Sequence, residues 1–169
     1  PGHSFEAQEH TERISLGPLD FAATLSIIKA VLAVQQVPVQ LGRRLHERTG
    51  GNPFFLEEMC QGLREAGAVT VHGHDALVSG SADALHLPDS VQAVIRARLD
   101  RLQPEGRELL RVASVIGREF PRRILREAIG SPDLTAAIEP LKHAGILQQM
   151  RVVPDPLYRF KHVLTQEVA

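Results

Sequence analysis

The sequence predicts a mainly α-helical protein that carries two small β-hairpins. Apolar residues recur at three- and four-residue spacing through most windows, and glycines close those windows. Strand-like stretches are confined to residues 68–78 and 146–162. The 169 residues suffice for one medium domain or two small ones, and a hydrophobic fraction of 43% supports a packed core. Aromatics are only 4% and Trp is absent, so Leu, Val, Ile and Ala must fill that core.

Residues 1–12 read as a polar tail, and Arg13-Ile14-Ser15-Leu16 as a short extended piece ended by Gly17-Pro18. Asp20 caps a helix to about Val34 with Phe21, Leu25, Ile28 and Leu32 on one face. Pro38 starts a second helix with Leu41 and Leu45 inward, ending at Gly50. A third runs from Pro53 to about Ala66, and Phe55, Leu56, Met59, Cys60 and Leu63 mark its buried face before the stop at Gly67. Residues 68–71 and 76–78 form a hairpin around His72-Gly73-His74-Asp75.

A Ser/Gly/Ala-rich stretch over 79–88, closed by Pro88, places a domain boundary there. Asp89 or Ser90 caps the next helix, in which Arg98 shares a face with Val91, Val94, Ile95 and Leu102. Pro104 opens another helix, stopped by Gly117, and Pro121 to Ile129 is a short one. Ser131 or Asp133 caps the helix that carries Leu134, Ile138 and Leu141 and ends at Gly145. Ile146 to Met150 and Leu157 to His162 are strands about a Pro154-Asp155-Pro156 turn, and Thr165 to Ala169 begin a further helix.

Helices followed by helix–strand–turn–strand outline a winged helix. The expected organisation is a polar tail at 1–12 and a helical bundle with a terminal hairpin at 13–80. A linker at 81–88 and a winged-helix domain at 89–169, truncated at its C-terminus, follow. Leu63-Arg64-Glu65-Ala66-Gly67-Ala68-Val69 echoes Leu141-Lys142-His143-Ala144-Gly145-Ile146-Leu147, which reads as shared helix-to-strand chemistry rather than a repeat.

Composition excludes several classes. The net charge of −1 gives no general attraction to nucleic acid. It is unevenly spread: residues 1–85 hold six basic and ten acidic side chains, and residues 86–169 hold thirteen and ten, with Arg122, Arg123 and Arg126 clustered. No apolar run approaches a membrane span, and the polar start has no signal-peptide core. The absence of an initiator Met predicts an excised or processed chain. A single Cys rules out an internal disulfide and fits a reducing, cytoplasmic setting.

No self-sufficient catalytic constellation is present. The three lysines, Lys29, Lys142 and Lys161, follow Ile, Leu and Phe, so there is no Walker A motif. Gly-x-Ser-x-Gly and His-Glu-x-x-His are also missing. His72 and His74 read as a solvated turn rather than a metal site, and Cys60 as a core thiol. The informative segment is Thr49-Gly50-Gly51-Asn52-Pro53-Phe54-Phe55-Leu56-Glu57-Glu58. Two glycines free the backbone, Asn52 can cap a helix and Pro53 suits its first turn. Such a point can hold a ligand or be a well-made helix start without one.

That segment occurs with Leu87-Pro88-Asp89-Ser90-Val91-Gln92-Ala93-Val94-Ile95, Arg98-Leu99-Asp100-Arg101-Leu102 and residues 158–169, Tyr-Arg-Phe-Lys-His-Val-Leu-Thr-Gln-Glu-Val-Ala. Val112 to Phe120 supports them. Together, from Arg13 onward, they resemble STAND-type ATPase modules of the AAA+ class. These occur in bacterial signalling proteins fused to class III adenylate or guanylate cyclase, protein kinase or LuxR-type domains.

The resemblance implies that residues 19–66 are a helical lid, that 88–169 are a winged helix, and that the Walker core lies upstream. It also implies that Gly51-Asn52-Pro53 packs by the adenine of ATP or ADP, and that His162 is the histidine that reaches the phosphates. For His162 the plainer alternative is a strand-end histidine satisfied by backbone. The chain alone is then expected to be neither an enzyme nor a nucleotide binder, with no metal site. The longer protein would be an ATPase whose core and downstream domains are the partners of this region. The rival expectations are a winged-helix DNA-binding domain, although the helix before the wing is not basic, and a nucleotide-independent protein-interaction module.

Overall fold

The computed structural model describes residues 14–131 and 133–169; the polar tail, Arg13 and Pro132 lie outside the described residues. The chain is mostly helical, with two small antiparallel sheets. The first half carries α1 (Phe21–Leu32), α2 (Val39–Thr49), α3 (Pro53–Glu65), β1 (Val69–His72) and β2 (Asp75–Val78). The second carries α4 (Val91–Asp100), α5 (Pro104–Ile116), β3 (Glu119–Pro121), α6 (Arg122–Ile129), α7 (Thr135–His143), β4 (Leu147–Arg151), β5 (Leu157–Phe160) and α8 (Val163–Val168).

Local chemistry sets the helix starts. Asp20 accepts the Ala23 amide at 2.7 Å, Asn52 accepts the Phe55 amide at 3.1 Å, and Ser90 accepts the Ala93 amide at 3.2 Å. Two helix ends share one geometry. After α3, the Ala68 amide donates to the Leu63 carbonyl and Gly67 to Arg64; after α7, Ile146 donates to Leu141 and Gly145 to Lys142. Both are Schellman ends with the glycine left-handed at φ +68°, which accounts for the echo between the two segments. The end of α1 makes the same bonds, Val34 to Lys29 and Ala33 to Ala30, but places Ala33 at φ +57°. A left-handed alanine costs about 1–2 kcal/mol. Ala33→Gly is therefore expected to raise the melting temperature by about 2–4 °C, read by thermal unfolding.

Two apolar clusters divide the molecule near residue 94. Ile28, Leu41, Leu45, Leu56 and Met59 centre the first, and the hairpin closes it with Val69 and Ala76. Leu109, Leu110, Phe120, Leu125, Ile138 and Phe160 centre the second. Val91 packs against both, and Phe54 of α3 reaches across to the second. The hairpin is tied to the α1–α2 connection: the His74 carbonyl accepts from Gln35 at 2.7 Å, and Ala76 donates to Gln36 at 3.0 Å.

The structure departs from the sequence expectations in four places. The piece around Ile14 and Leu16 pairs with no strand among the described residues and leaves those side chains 74% and 90% exposed. A third strand, β3, joins the second sheet, which runs β3-β5-β4, with Phe120 opposite Tyr158. Strand β5 ends at Phe160, so His162 does not continue its alternation; it is instead the N-cap residue of α8. At α7 the N-cap position is Leu134, and Asp133 serves the start from one residue earlier by accepting from the Thr135 amide at 2.8 Å.

The stretch over residues 79–88 is anchored along its length and packs on the first cluster through Leu85 and Leu87. It contains a single 3₁₀ turn at Ala82–Ala84, the Leu85 carbonyl accepts from Arg44 at 3.0 Å, Leu87 is buried, and Asp89 pairs with Arg48.

Candidate functional site

The Gly51-Asn52-Pro53 turn is built from both sides. Gly51 sits at φ +71°, and its carbonyl accepts the Leu19 amide at 2.9 Å. A Cβ there would lie 2.4 Å from the Leu19 carbonyl oxygen, so only glycine lets the two segments approach. Asn52 caps α3, and Pro53 takes its first turn. Gly51 and Asn52 thus shape the turn, whereas Pro53 faces an open cleft.

The cleft has a volume of about 630 Å³ and is lined by Ile27, Ala30 and Val31 of α1, Pro53, Phe54, Glu57 and Gln61 of α3, and His162. The two ends of the predicted site, Pro53 and His162, therefore meet at one cleft. Between them lies Phe54, whose ring centroid is 4.1 Å from that of His162 at 37°. Glu57 forms an ion pair with Lys161, next in sequence to His162, and so fixes α3 against the entry to α8. Ile27, Ala30, Val31, Pro53 and Phe54 give the cleft an apolar floor suited to a flat ring.

His162 is the polar feature of this floor. Its Nε2 is buried and has no hydrogen-bond partner among the described residues. Burial, and then the charge of Lys161, lower its pKa below the ordinary value of 6.5, while Glu57 opposes them. Below pH 6.5 the unfolded chain binds this proton more readily than the folded one. The contribution of His162 to stability is therefore present above that pH and falls as pH drops through the window beneath it. An NMR titration should find the His162 ring protonating below the ordinary histidine range, and titration at or above 6.5 would contradict its burial against Phe54.

Behind the cleft, α3 carries a buried ionic group. Arg98 of α4 is 4% exposed; it donates to Glu58 at 2.5 Å, to Glu65 at 2.7 Å and to the Ala144 carbonyl at 2.6 Å. Burial pushes the Glu58 carboxyl above the usual carboxylate range against the pull of Arg98. Burial works against the Arg98 charge, but hydrogen bonds to Glu65 and the two carboxylates outweigh it and hold the guanidinium protonated. This cluster joins α3 to α4 and to the α7–β4 turn, so it sets how the floor at Phe54 meets His162.

Phe54, Glu58 and Arg98 lie within the motif segments, but nothing in those motifs marks the contact of Phe54 with His162 or the pairing of Arg98 with Glu58 and Glu65. The signal for Arg98 was its position on an otherwise apolar face. Cys60, also on α3, is buried with its thiol pushed up to about 12, so it is inert as a nucleophile at neutral pH.

Residues 22–76, covering α1 to the start of β2, match a family described as "Domain of unknown function (DUF8739)". An uncharacterized protein of Rhizobium meliloti (strain 1021) is 30% identical over 160 residues, a match that spans 92% of this chain and 15% of the relative. The chain thus corresponds to a small part of the length of that relative. No solved structure matches significantly. Among the described residues, no helix is long and apolar enough to cross a membrane.

Proposed function

We propose that this chain is the lid and winged-helix part of a STAND-type nucleotide switch. In this reading α1 to α3 form the lid, and residues 89–169 form the winged helix. The order α5-β3-α6-α7-β4-β5, with β5 between β3 and β4, supports the second assignment. The observation that carries the functional reading is the cleft in which Pro53 and His162 meet. A proline ring and the Phe54 edge offer an apolar surface to a purine. The imidazole of His162, which lines the same cleft, offers a hydrogen-bonding group to a phosphate oxygen.

The core that would bind the rest of the nucleotide lies upstream in this proposal. ATP or ADP held between core, lid and winged helix would fix their relative orientation, and exchange would release it. The chain alone then supplies half a site and no catalysis. In a longer protein carrying the proposed core ahead of Ile14, excess ADP should raise the melting temperature, and Pro53→Ala with His162→Ala should remove most of that rise. An equal rise in the double variant would sink the site assignment.

Charge pairing disfavours the DNA-binding alternative. On α7, the helix before the β4–β5 hairpin, Lys142 is held by Glu139 at 2.8 Å. On α6, Arg122 is held by Asp133 at 3.0 Å and Arg123 by Glu127 at 3.4 Å, which leaves Arg126 as the cation of that cluster without an ion-pair partner among the described residues. With the one lysine of α7 paired among the described residues, duplex DNA should bind at most weakly, and a salt-dependent mobility shift with generic duplex would count against the nucleotide reading.

A further inference from the structure

A second cleft, of about 620 Å³, opens between α5, α7 and the end of α6, on elements other than those of the Pro53–His162 cleft. Its floor is apolar: Leu109, Ile129, Leu134 and Leu141 line it. Three carboxylates, Glu105, Glu108 and Asp133, also line it, and among the described residues no Lys, Arg or His does. Asp133 and Glu108 reach Arg122 and Arg111 outside the lining, at 3.0 and 3.9 Å, whereas Glu105 has no ion-pair partner among the described residues.

Two residues lining this cleft weaken the helices that carry them. Gly106 lies inside α5, where a Cβ would meet the Leu141 side chain at an ordinary 3.7 Å. Alanine would fit and favour the helix, so neither backbone nor packing demands glycine; its effect is to keep the cleft wide. Pro140 lies inside α7, and its missing N–H leaves the Ala136 carbonyl without the donor four residues on. Ala136 is itself exposed on the cleft lining. Departures from local helix preference that converge on one place are expected at functional sites.

We propose that this cleft docks a basic, amphipathic peptide segment of another protein. Its apolar side chains would enter between α5 and α7, and flanking Lys or Arg would face the carboxylates and the Ala136 carbonyl. Charge complementarity selects this occupant: the unpaired Glu105 and Glu108, which lies 3.9 Å from Arg111, stand over an apolar floor and favour an apolar anchor flanked by cations over an acidic one, while Asp133 is already matched by Arg122.

The test uses an acetylated peptide of Leu and Lys at helical spacing, about 14 residues long, with a Leu/Glu peptide as its counterpart. In a ¹⁵N–¹H titration at low salt, the Leu/Lys peptide should shift the non-proline amides of residues 102–109 and 134–141, and the Leu/Glu peptide should not. Glu105→Lys with Glu108→Lys should weaken binding at least about tenfold, as should Ala136→Trp, with unchanged circular dichroism. Gly106→Ala should raise the melting temperature by about 2–4 °C while weakening the peptide; unchanged affinity would overturn its role. Equal binding of both peptides, shifts spread over the whole surface, or charge-independent binding of a long-chain fatty acid in the cleft would overturn the proposal. So would sedimentation showing that a second copy of the chain occupies this face.

Discussion

Arg98→Met is expected to destabilise the protein by about 3–5 kcal/mol, the cost of leaving a buried charge without its partner. The substitution keeps most of the volume but strips Glu58, which is 4% exposed, of its one cationic hydrogen-bond donor among the described residues. Glu65 is better placed to survive, since 26% of its side chain is exposed and can be solvated. The loss also frees the Ala144 carbonyl and so loosens the α7–β4 turn.

Two features separate this from simple loss of packing. The first is coupling. In Arg98→Met with Glu58→Leu the stranded carboxylate is gone, so the double variant should be more stable than Arg98→Met alone; additive deficits in denaturant unfolding would contradict the account. The second is pH. Burial already raises the Glu58 pKa, and removing Arg98 removes the opposing pull. A carboxyl whose folded pKa lies above its unfolded value stabilises the fold when protonated, and that contribution is lost as pH rises through the folded pKa. The deficit of Arg98→Met should therefore be larger at neutral pH than in mild acid.

Gly51→Ala is the second large effect. A left-handed alanine costs about 1–2 kcal/mol. The Cβ also overlaps the Leu19 carbonyl oxygen at 2.4 Å and the Leu19 nitrogen at 2.8 Å, both backbone atoms that must move, which adds roughly 1–3 kcal/mol. The neighbouring Gly50 supplies the control. It is also left-handed, at φ +58°, but a Cβ there meets nothing within 4 Å, so Gly50→Ala should carry only the backbone cost. Hydrogen exchange should report the difference as lost protection of the Leu19 amide in Gly51→Ala, because that amide donates to the Gly51 carbonyl. Equal stabilities of the two variants would mean that the Pro18–Leu19 segment does not press on the turn.

Much of this architecture is legible in the sequence because local chemistry sets it. Asp20, Asn52 and Ser90 cap the helices they precede, and the matched Gly67 and Gly145 end theirs in the same way. What the sequence hides depends on partners distant along the chain. Strand β3 is three residues long and is a strand only because β5 pairs with it. Its sequence, Glu119-Phe120-Pro121, has no period to detect. Alternation through Tyr158, Phe160 and His162 suggests one continuous strand, but the chain turns into α8 after Phe160.

The candidate site divides in the same manner. The Gly51-Asn52-Pro53 turn is readable residue by residue. Its meeting with His162 depends on the Glu57–Lys161 pair, on Phe54 crossing between the two clusters and on the Arg98 cluster behind them, none of which local pattern specifies.

The proposed switch rests on the Pro53–His162 cleft facing a nucleotide. The direct measurement is the pKa of His162 by NMR, in a longer protein carrying the proposed core, with and without ADP. A phosphate beside the ring would favour the imidazolium and raise the pKa from its depressed value. The account predicts that upward shift on ADP binding, abolished when the nucleotide is replaced by adenosine. A His162 pKa that stays depressed while ADP is demonstrably bound would contradict it.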